Sequence, residues 1–442
     1  MRVLLVSYAE KTHFLSSVPM GWALRTAGHE VRVATQPELA GAVAATGLTV
    51  VPVGADHSLY RHREWARRFG DEEGSGFFDM GEVWPELGWE QLKWGYREVV
   101  WWWWRTVNGP MVDDLTAYCL QWRPDLVIWE PGTYAGAIAA KASGAAHARL
   151  LWSVDLFGLM REAFLREVRR RPPEDREDVL AQWTGGLAAR TGGAFSEDLT
   201  SGHFTITHMP PSLRRADGLR YVPMRYIPYN GRAVVPDWLR EPPGRPRVCL
   251  SLGLSATERL GRYSVSIRGL LDALGDLDIE VVATVPPETQ AELGAVPANT
   301  RLVSFVPLHA LLPTCSAVIN HGGPGTVCTS AFYGVPQLIL PRRLLDDRLV
   351  ARGLADEGMA LMIPSDDVTE ESTREHLLRL LDDPLLRQGP ERLRQEMLAM
   401  PSPNAVVPEL ELLTELYRGT SSVAHAQEQA ALPGAAGEVG GL

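Results

Sequence analysis

The stretch Ile319-Asn320-His321-Gly322-Gly323-Pro324-Gly325-Thr326 constrains this chain more than any other. An apolar run, Ala317 to Ile319, enters it, and a helix-compatible run, Val327 to Phe332, leaves it. The pattern reads as strand, glycine turn and helix start. At such a junction backbone N–H groups point outward, and the helix dipole favours negative charge. Glycines let the backbone approach a phosphate closely, and Thr326 adds a hydroxyl donor. His321 places an imidazole on the same edge. Together these residues suit a diphosphate that is held and then released as a leaving group. Read without their neighbours, the three glycines are equally what any tight turn needs.

A chain of 442 residues exceeds what one compact core usually holds, so two domains are expected. With 45% hydrophobic residues it can fill ordinary globular cores. A formal net charge of −11 argues against bulk nucleic-acid binding. Cys119, Cys249, Cys315 and Cys328 are scattered, with no C-x-x-C pair and no zinc-type Cys/His spacing, which predicts reduced thiols in a cytosolic protein. Met1 to Ser7 reads as a short apolar strand and lacks the features of a signal peptide. No stretch is long and apolar enough for a membrane span, and the Trp101 to Trp104 run is bounded by Arg97, Glu98 and Arg105.

Two halves each open on a buried-type strand, Val3 to Val6 and Val248 to Leu252. In the first half a polar loop, a helical run from Val18 to Ala27 and a strand from Val31 to Ala34 form a right-handed parallel unit. Further strands are expected at Thr49 to Val53, Pro124 to Trp129 and Ala148 to Trp152. The second half repeats this with a helix from Val265 to Leu274 and strands at Ile279 to Thr284, Thr300 to Phe305, Ala317 to Asn320 and Gln337 to Leu340. The alternation predicts two Rossmann-like, doubly wound parallel-sheet domains facing a cleft, with ligands beyond the carboxyl ends of the strands. The expected divisions are an N-terminal domain over 1–209, a Pro-, Gly- and Arg-rich linker over 210–246, a C-terminal domain over 247–400, a final helix over 401–418 and a disordered tail over 419–442. The Trp-rich segment from Tyr60 to Asn108 and the run Leu156 to Leu187 interrupt the pattern. They read as an acceptor-site lid or protein-binding surface, or as ordinary packing helices.

Several motifs carry a resemblance. His-Gly-Gly-x-Gly-Thr at 321–326, then Gly334-Val335-Pro336-Gln337, then Asp346-Asp347, is similar to the bacterial natural-product glycosyltransferases of the GT-B fold. Thr12-His13-Phe14, Gly28-His29-Glu30-Val31-Arg32-Val33-Ala34, Trp129-Glu130-Pro131, Thr133-Tyr134-Ala135-Gly136, Met224-Arg225-Tyr226, Tyr229-Asn230-Gly231 and Val235-Pro236-Asp237-Trp238-Leu239 narrow it. They resemble the activator-dependent actinomycete transferases that move deoxysugars, often aminosugars, onto macrolide or aromatic polyketides. The resemblance spans roughly residues 1 to 417. One departure is Leu345-Asp346-Asp347, where the family commonly has Trp-Asp before the second acidic or amide position.

The resemblance implies an inverting, metal-independent transfer from a dTDP-deoxysugar to a hydroxyl of a polyketide aglycone in antibiotic biosynthesis. It implies no cofactor beyond the donor, a haem-free cytochrome-like activator as partner with Leu156 to Leu187 as its contact, and leaves homo-oligomerisation open. His13 is then the general base and Glu130 its orienting carboxylate. Ser255, His321, Gly322, Gly323, Gly325 and Thr326 hold the diphosphate, with the backbone amides from Gly322 to Thr326 as donors. Val306 and Pro307 meet the base edge, and Asp346, Asp347 and Asn230 meet the sugar. From the residues alone, His13 is equally a packing or surface histidine and Glu130 a loop cap. The acidic pair is equally a helix N-terminal charge, and Asn230 an Asn-Gly turn. Two rival functions remain at this level. One is a nucleotide-sugar epimerase on the same plan; the other is a non-catalytic sugar-nucleotide-binding helper.

Overall fold

The fold was obtained as a computed structural model. It describes residues 1–61, 87–213, 216–253, 263, 265–342 and 345–419. The expected tail beyond 419, Ser255, and residues 62–86 of the Trp-rich segment lie outside the described residues.

Two fully parallel sheets form the frame. The first comprises β1 (Arg2–Val6), β2 (Glu30–Thr35), β3 (Thr49–Pro52), β4 (Leu126–Trp129), β5 (Ala146–Leu150), β6 (Phe204–Thr207) and β7 (Tyr221–Pro223), in the order β3-β2-β1-β4-β5-β6-β7. The second comprises β8 (Arg247–Ser251), β9 (Glu280–Thr284), β10 (Thr300–Val303), β11 (Ala317–Asn320), β12 (Gln337–Ile339) and β13 (Leu361–Met362), in the order β10-β9-β8-β11-β12-β13. The doubly wound expectation holds for both. In β1 the two-residue period sorts side chains onto opposite faces: Val3 and Leu5 join one core, Leu4 and Val6 the other. Strands buried on both faces need such continuous apolar runs.

Strand order reverses between β1 and β4, and again between β8 and β11. A crevice opens at each reversal, because the crossovers leave in opposite directions. The register pairs Val6 with Trp129 and Asn320 with Ser251. Residues just past those strand ends, His13 with Glu130 and His321 with Gly253, are thus brought together by topology.

Several elements depart from the sequence reading. His13 lies on a short helix, Lys11–Leu15, rather than in an open loop, because the Glu10 side chain caps the first turn by accepting the Thr12 N–H. The segment read as a linker carries β7, the edge strand of the first sheet. Its Pro-rich composition hides a strand of three residues. The tryptophan run is a π-helix, Val99–Trp104, with Trp103 and Trp104 buried and Trp101 and Trp102 exposed.

The last helix, Pro403–Tyr417, follows the second sheet in sequence but packs on the first. Val406, Val407, Leu410 and Leu413 enter the core formed by β1, β4 and β5. Burial of each such side chain contributes about 1.5–3 kcal/mol. The chain therefore crosses between lobes twice. The crossings lie side by side: the Arg225 N–H donates to Pro401 O at 2.7 Å. A further apolar core joins the lobes, packing Met209, Leu213 and Tyr226 against Val327, Cys328 and Leu354. Among the described residues no helix is long and apolar enough to cross a membrane.

Candidate active site

On the first lobe, His13 Nδ1 lies 3.2 Å from Glu130 Oε2. The same carboxylate accepts from the Trp152 indole N–H at 3.2 Å, the Gly132 N–H at 3.1 Å and the Thr133 hydroxyl. The Trp152 and Gly132 N–H groups can only donate, and the Thr133 hydroxyl, which itself accepts the Tyr8 N–H at 2.9 Å, turns its proton to the carboxylate. Glu130 thus holds the imidazole proton on Nδ1 and leaves Nε2 as the basic nitrogen. Trp152 also stacks on the His13 ring, with centroids 4.4 Å apart and planes at 17°. One indole therefore fixes both partners, a role no signal in Leu151-Trp152-Ser153 revealed.

On the second lobe, the ring of His321 is enclosed by glycines. A Cβ on Gly323 would stand 2.3 Å from His321 Nε2, and one on Gly253 would stand 2.5 Å from Cε1. Gly253 also has a φ of +80°. Burial, and then the nearby Arg342 cation, hold His321 well below the ordinary histidine range, so the ring is neutral at pH 7. Its Nδ1 has no hydrogen-bond partner among the described residues. The helix Pro324–Tyr333 starts beside it, and a Cβ on Gly325 would meet open space. Gly325 and Thr326 therefore present the first turn of the helix to the cleft. Gly322 differs from expectation. Its φ of +93° makes the turn, but its N–H already donates to Asn320 Oδ1 at 2.8 Å, so it is not a spare anion donor.

The acidic pair is placed by a strained residue, Leu345, whose φ is +50°. Asp347 is buried and accepts from Arg342 Nε at 2.7 Å. Arg342, two residues beyond Leu340, was missed from sequence, although a cation at a strand's carboxyl end is a readable signal. Asp346 is buried too, and its Oδ2 has no partner among the described residues. Burial, then repulsion from Asp347, push its carboxyl up to about 7. Because the folded value is the raised one, the cost is absent below pH 3.8, grows as pH rises from there to about 7, and is complete above it. Asp346→Asn should therefore stabilise the protein by about 2–4 kcal/mol at pH 8. Melting curves should show that gain shrinking towards pH 4.

One cleft of about 390 Å³ gathers these groups. His13, Asn230, Val306, His321, Gly323, Gly325, Thr326, Asp346 and Asp347 line it. The Asn230 Oδ1 has no partner among the described residues. Glu130, Gly322 and Pro307 stand behind the walls rather than on them, and Phe305 lies beside Val306 on the wall. The first lobe adds Leu59, Tyr60, Trp103 and Trp152, a largely aromatic surface.

Away from the cleft the fold assembles His147, Asp198 and His203, with ligand-type atoms within 4.8 Å of one another. Each imidazole Nδ1 accepts an N–H, from Trp129 Nε1 at 3.3 Å and from the His147 backbone at 3.1 Å. Each Nε2 then carries the ring proton and so turns no lone pair towards Asp198; that of His147 lies 3.1 Å from Asp198 Oδ2, within hydrogen-bond reach, and that of His203 lies 4.0 Å away, beyond it.

Comparison with known proteins agrees with this geometry. The family model for the erythromycin biosynthesis protein CIII-like N-terminal domain matches residues 22–253, and that for the corresponding C-terminal domain matches 268–413. The chain is 47% identical to 10-deoxymethynolide desosaminyltransferase of Streptomyces venezuelae, over 95% of this chain and 98% of that one. It is 44% identical to tylactone mycaminosyltransferase of Streptomyces fradiae, over 96% and 94%. Among solved structures, the glycosyltransferase VinC in complex with dTDP shares 41% identity with a TM-score of 0.84, covering 94% of this chain and all of that one. The spinosyn forosaminyltransferase SpnP shares 36% with a TM-score of 0.78, over 94% and 99%. Twin parallel sheets of GT-B type, a histidine–carboxylate pair facing a glycine-bound imidazole, and matches spanning both lobes lead to one assignment: the chain belongs to the erythromycin biosynthesis protein CIII-like family of antibiotic-biosynthesis glycosyltransferases.

Proposed function

We propose that this enzyme transfers a deoxysugar from a dTDP-sugar to a hydroxyl of a hydrophobic polyketide aglycone, with inversion at the anomeric carbon. The observation that carries this reading is the meeting of His13 and His321, from opposite lobes, in one cleft with an aromatic wall on the first-lobe side. The similarity to VinC, solved with dTDP, and to desosaminyl and mycaminosyl transferases supports the choice of donor and acceptor.

The steps follow from the groups present. The acceptor lies against Leu59, Tyr60, Trp103 and Trp152, with its hydroxyl at His13 Nε2. That nitrogen takes the hydroxyl proton as the oxygen attacks the anomeric carbon, and Glu130 stabilises the resulting imidazolium. The C–O bond to the diphosphate breaks on the opposite face, which inverts the configuration. Negative charge growing on the leaving oxygen is met by the neutral His321 ring and the first-turn amides of the Pro324–Tyr333 helix, donors that need no rearrangement. Val306 borders the base, while Asn230, Asp346 and Asp347 contact the sugar. With protein groups supplying this stabilisation, the reaction needs no metal or other cofactor. Dependence on a helper protein forms part of the proposal. Most of Leu156–Phe164 is buried, so within Leu156 to Leu187 such a contact uses the exposed residues further on, such as Arg169, Arg170 and Pro172 to Arg176.

Incubation with several dTDP-deoxysugars and polyketide aglycones, followed by mass spectrometry, tests the reading. The expected product is aglycone plus one deoxysugar residue, with release of dTDP. An isomerised dTDP-sugar without transfer would instead favour the epimerase. Binding without turnover, with or without added helper proteins, would favour the helper reading.

A further inference from the structure

The helix that carries His13 has five residues, too few to sustain itself. Its entrance is held by Glu10, a side chain only 5% exposed that also lines the cleft. One oxygen of Glu10 accepts the Thr12 N–H at 3.2 Å and the Thr12 hydroxyl at 2.7 Å. The other accepts the Tyr60 hydroxyl at 2.5 Å, the length of a strong charge-assisted bond. Tyr60 comes from a separate segment beyond β3 and stands with Leu59 on the wall of the cleft. A second route joins the same endpoints. The rings of Tyr60 and His57 lie 5.4 Å apart, those of His57 and Tyr8 5.4 Å, and those of Tyr8 and His13 5.6 Å.

We propose that Tyr60 is a positioning residue for the transfer reaction. By clamping Glu10 it fixes the pitch of the Lys11–Leu15 helix, and so sets where His13 Nε2 meets the acceptor hydroxyl. An acceptor packed against Leu59 and Tyr60 presses on the clamp that orients its own base, which ties acceptor fit to turnover. This rests on the reading of His13 as general base. Glu130 fixes the imidazole tautomer; the Tyr60–Glu10 pair fixes the helix beneath it. The two devices act on different degrees of freedom.

The experiment is a double-mutant cycle on the full chain. Tyr60→Phe keeps the ring packing and removes the hydroxyl. It should lower kcat for transfer about tenfold or more, the scale of a small misplacement of a reacting group. The dissociation constant for dTDP should stay within twofold of wild type. In a His13→Ala background the same substitution should cost nothing further, because there is no base left to position. Glu10→Ala should reproduce the loss, and Glu10→Gln, which retains an acceptor oxygen, should recover part of it. Melting temperatures measured alongside identify any loss that is only unfolding, and Glu10→Gln then serves as the gentler probe. A kcat within twofold of wild type for both Tyr60→Phe and Glu10→Gln overturns the proposal. So does an undiminished loss in the His13→Ala background. If His13→Ala alone turns over at the wild-type rate, the base assignment itself fails, and that outcome is distinct from either.

Discussion

Replacing His13 with alanine should lower kcat by about two to four orders of magnitude, with dTDP bound as tightly as by the wild type. The asymmetry follows from position. His13 lines the cleft from the first lobe, whereas the imidazole packed between glycines and the helix start belong to the second. Only the group that accepts the acceptor proton is lost, so binding calorimetry with dTDP should be unchanged while single-turnover transfer slows. Glu130→Gln should fall between. Its amide cannot stabilise an imidazolium as a carboxylate does, yet it still offers an oxygen to His13 Nδ1. Full activity of His13→Ala would remove it as base and return the residue to the packing role it could equally have had from sequence alone.

The second large effect is expected from a single methyl group. Gly323→Ala places a Cβ 2.3 Å from His321 Nε2, and the ring has Gly253 on another side. The imidazole must then leave its position or the loop must move. Gly323 has a φ of −60°, so alanine is not excluded by its own backbone and the effect reports the contact with His321. Loss of a hydrogen bond to a charged phosphate costs about 1.5–3 kcal/mol, which predicts a Kd for dTDP raised by about 10- to 150-fold. Calorimetry with dTDP checks it. His321→Ala should show a comparable loss together with slower turnover. Wild-type affinity in both variants would take the diphosphate away from this loop.

The sheets and the glycine turn were legible because they depend on local pattern. Alternation in Val3 to Val6 and the run Ala317 to Asn320 need only two faces to bury, and glycine at 322 answers a left-handed φ. Strands β6, β7 and β13 went unread. Phe204–Thr207 has only four residues and lies just past the Ser201-Gly202 turn, Tyr221–Pro223 sits beside a proline-rich run, and Leu361–Met362 has two residues; each is made a strand by the neighbour it pairs with. The site divides the same way. His13 and Glu130 were legible as residues at strand ends, but their bond spans 117 positions and depends on Trp152. The difference between the two aspartates was invisible, because it depends on Arg342 reaching only Asp347. The Gly322 amide was misassigned for a similar reason, since nothing in Asn320-His321-Gly322 announces that the asparagine side chain folds forward onto it.

Arg225 and Pro401, hydrogen-bonded where the polypeptide passes between lobes for the first and second time, make a paired hinge. A protein joined by one strand of chain can swivel freely, whereas two adjacent strands resist twisting and leave bending as the easy motion. Cleavage after Arg232, between β7 and β8, would sever one strand of that hinge and leave the two fragments held together without a covalent link, through the Pro403–Tyr417 helix packed on the first sheet. Such a nicked enzyme should still migrate as one particle under native conditions and separate into two bands only when denatured.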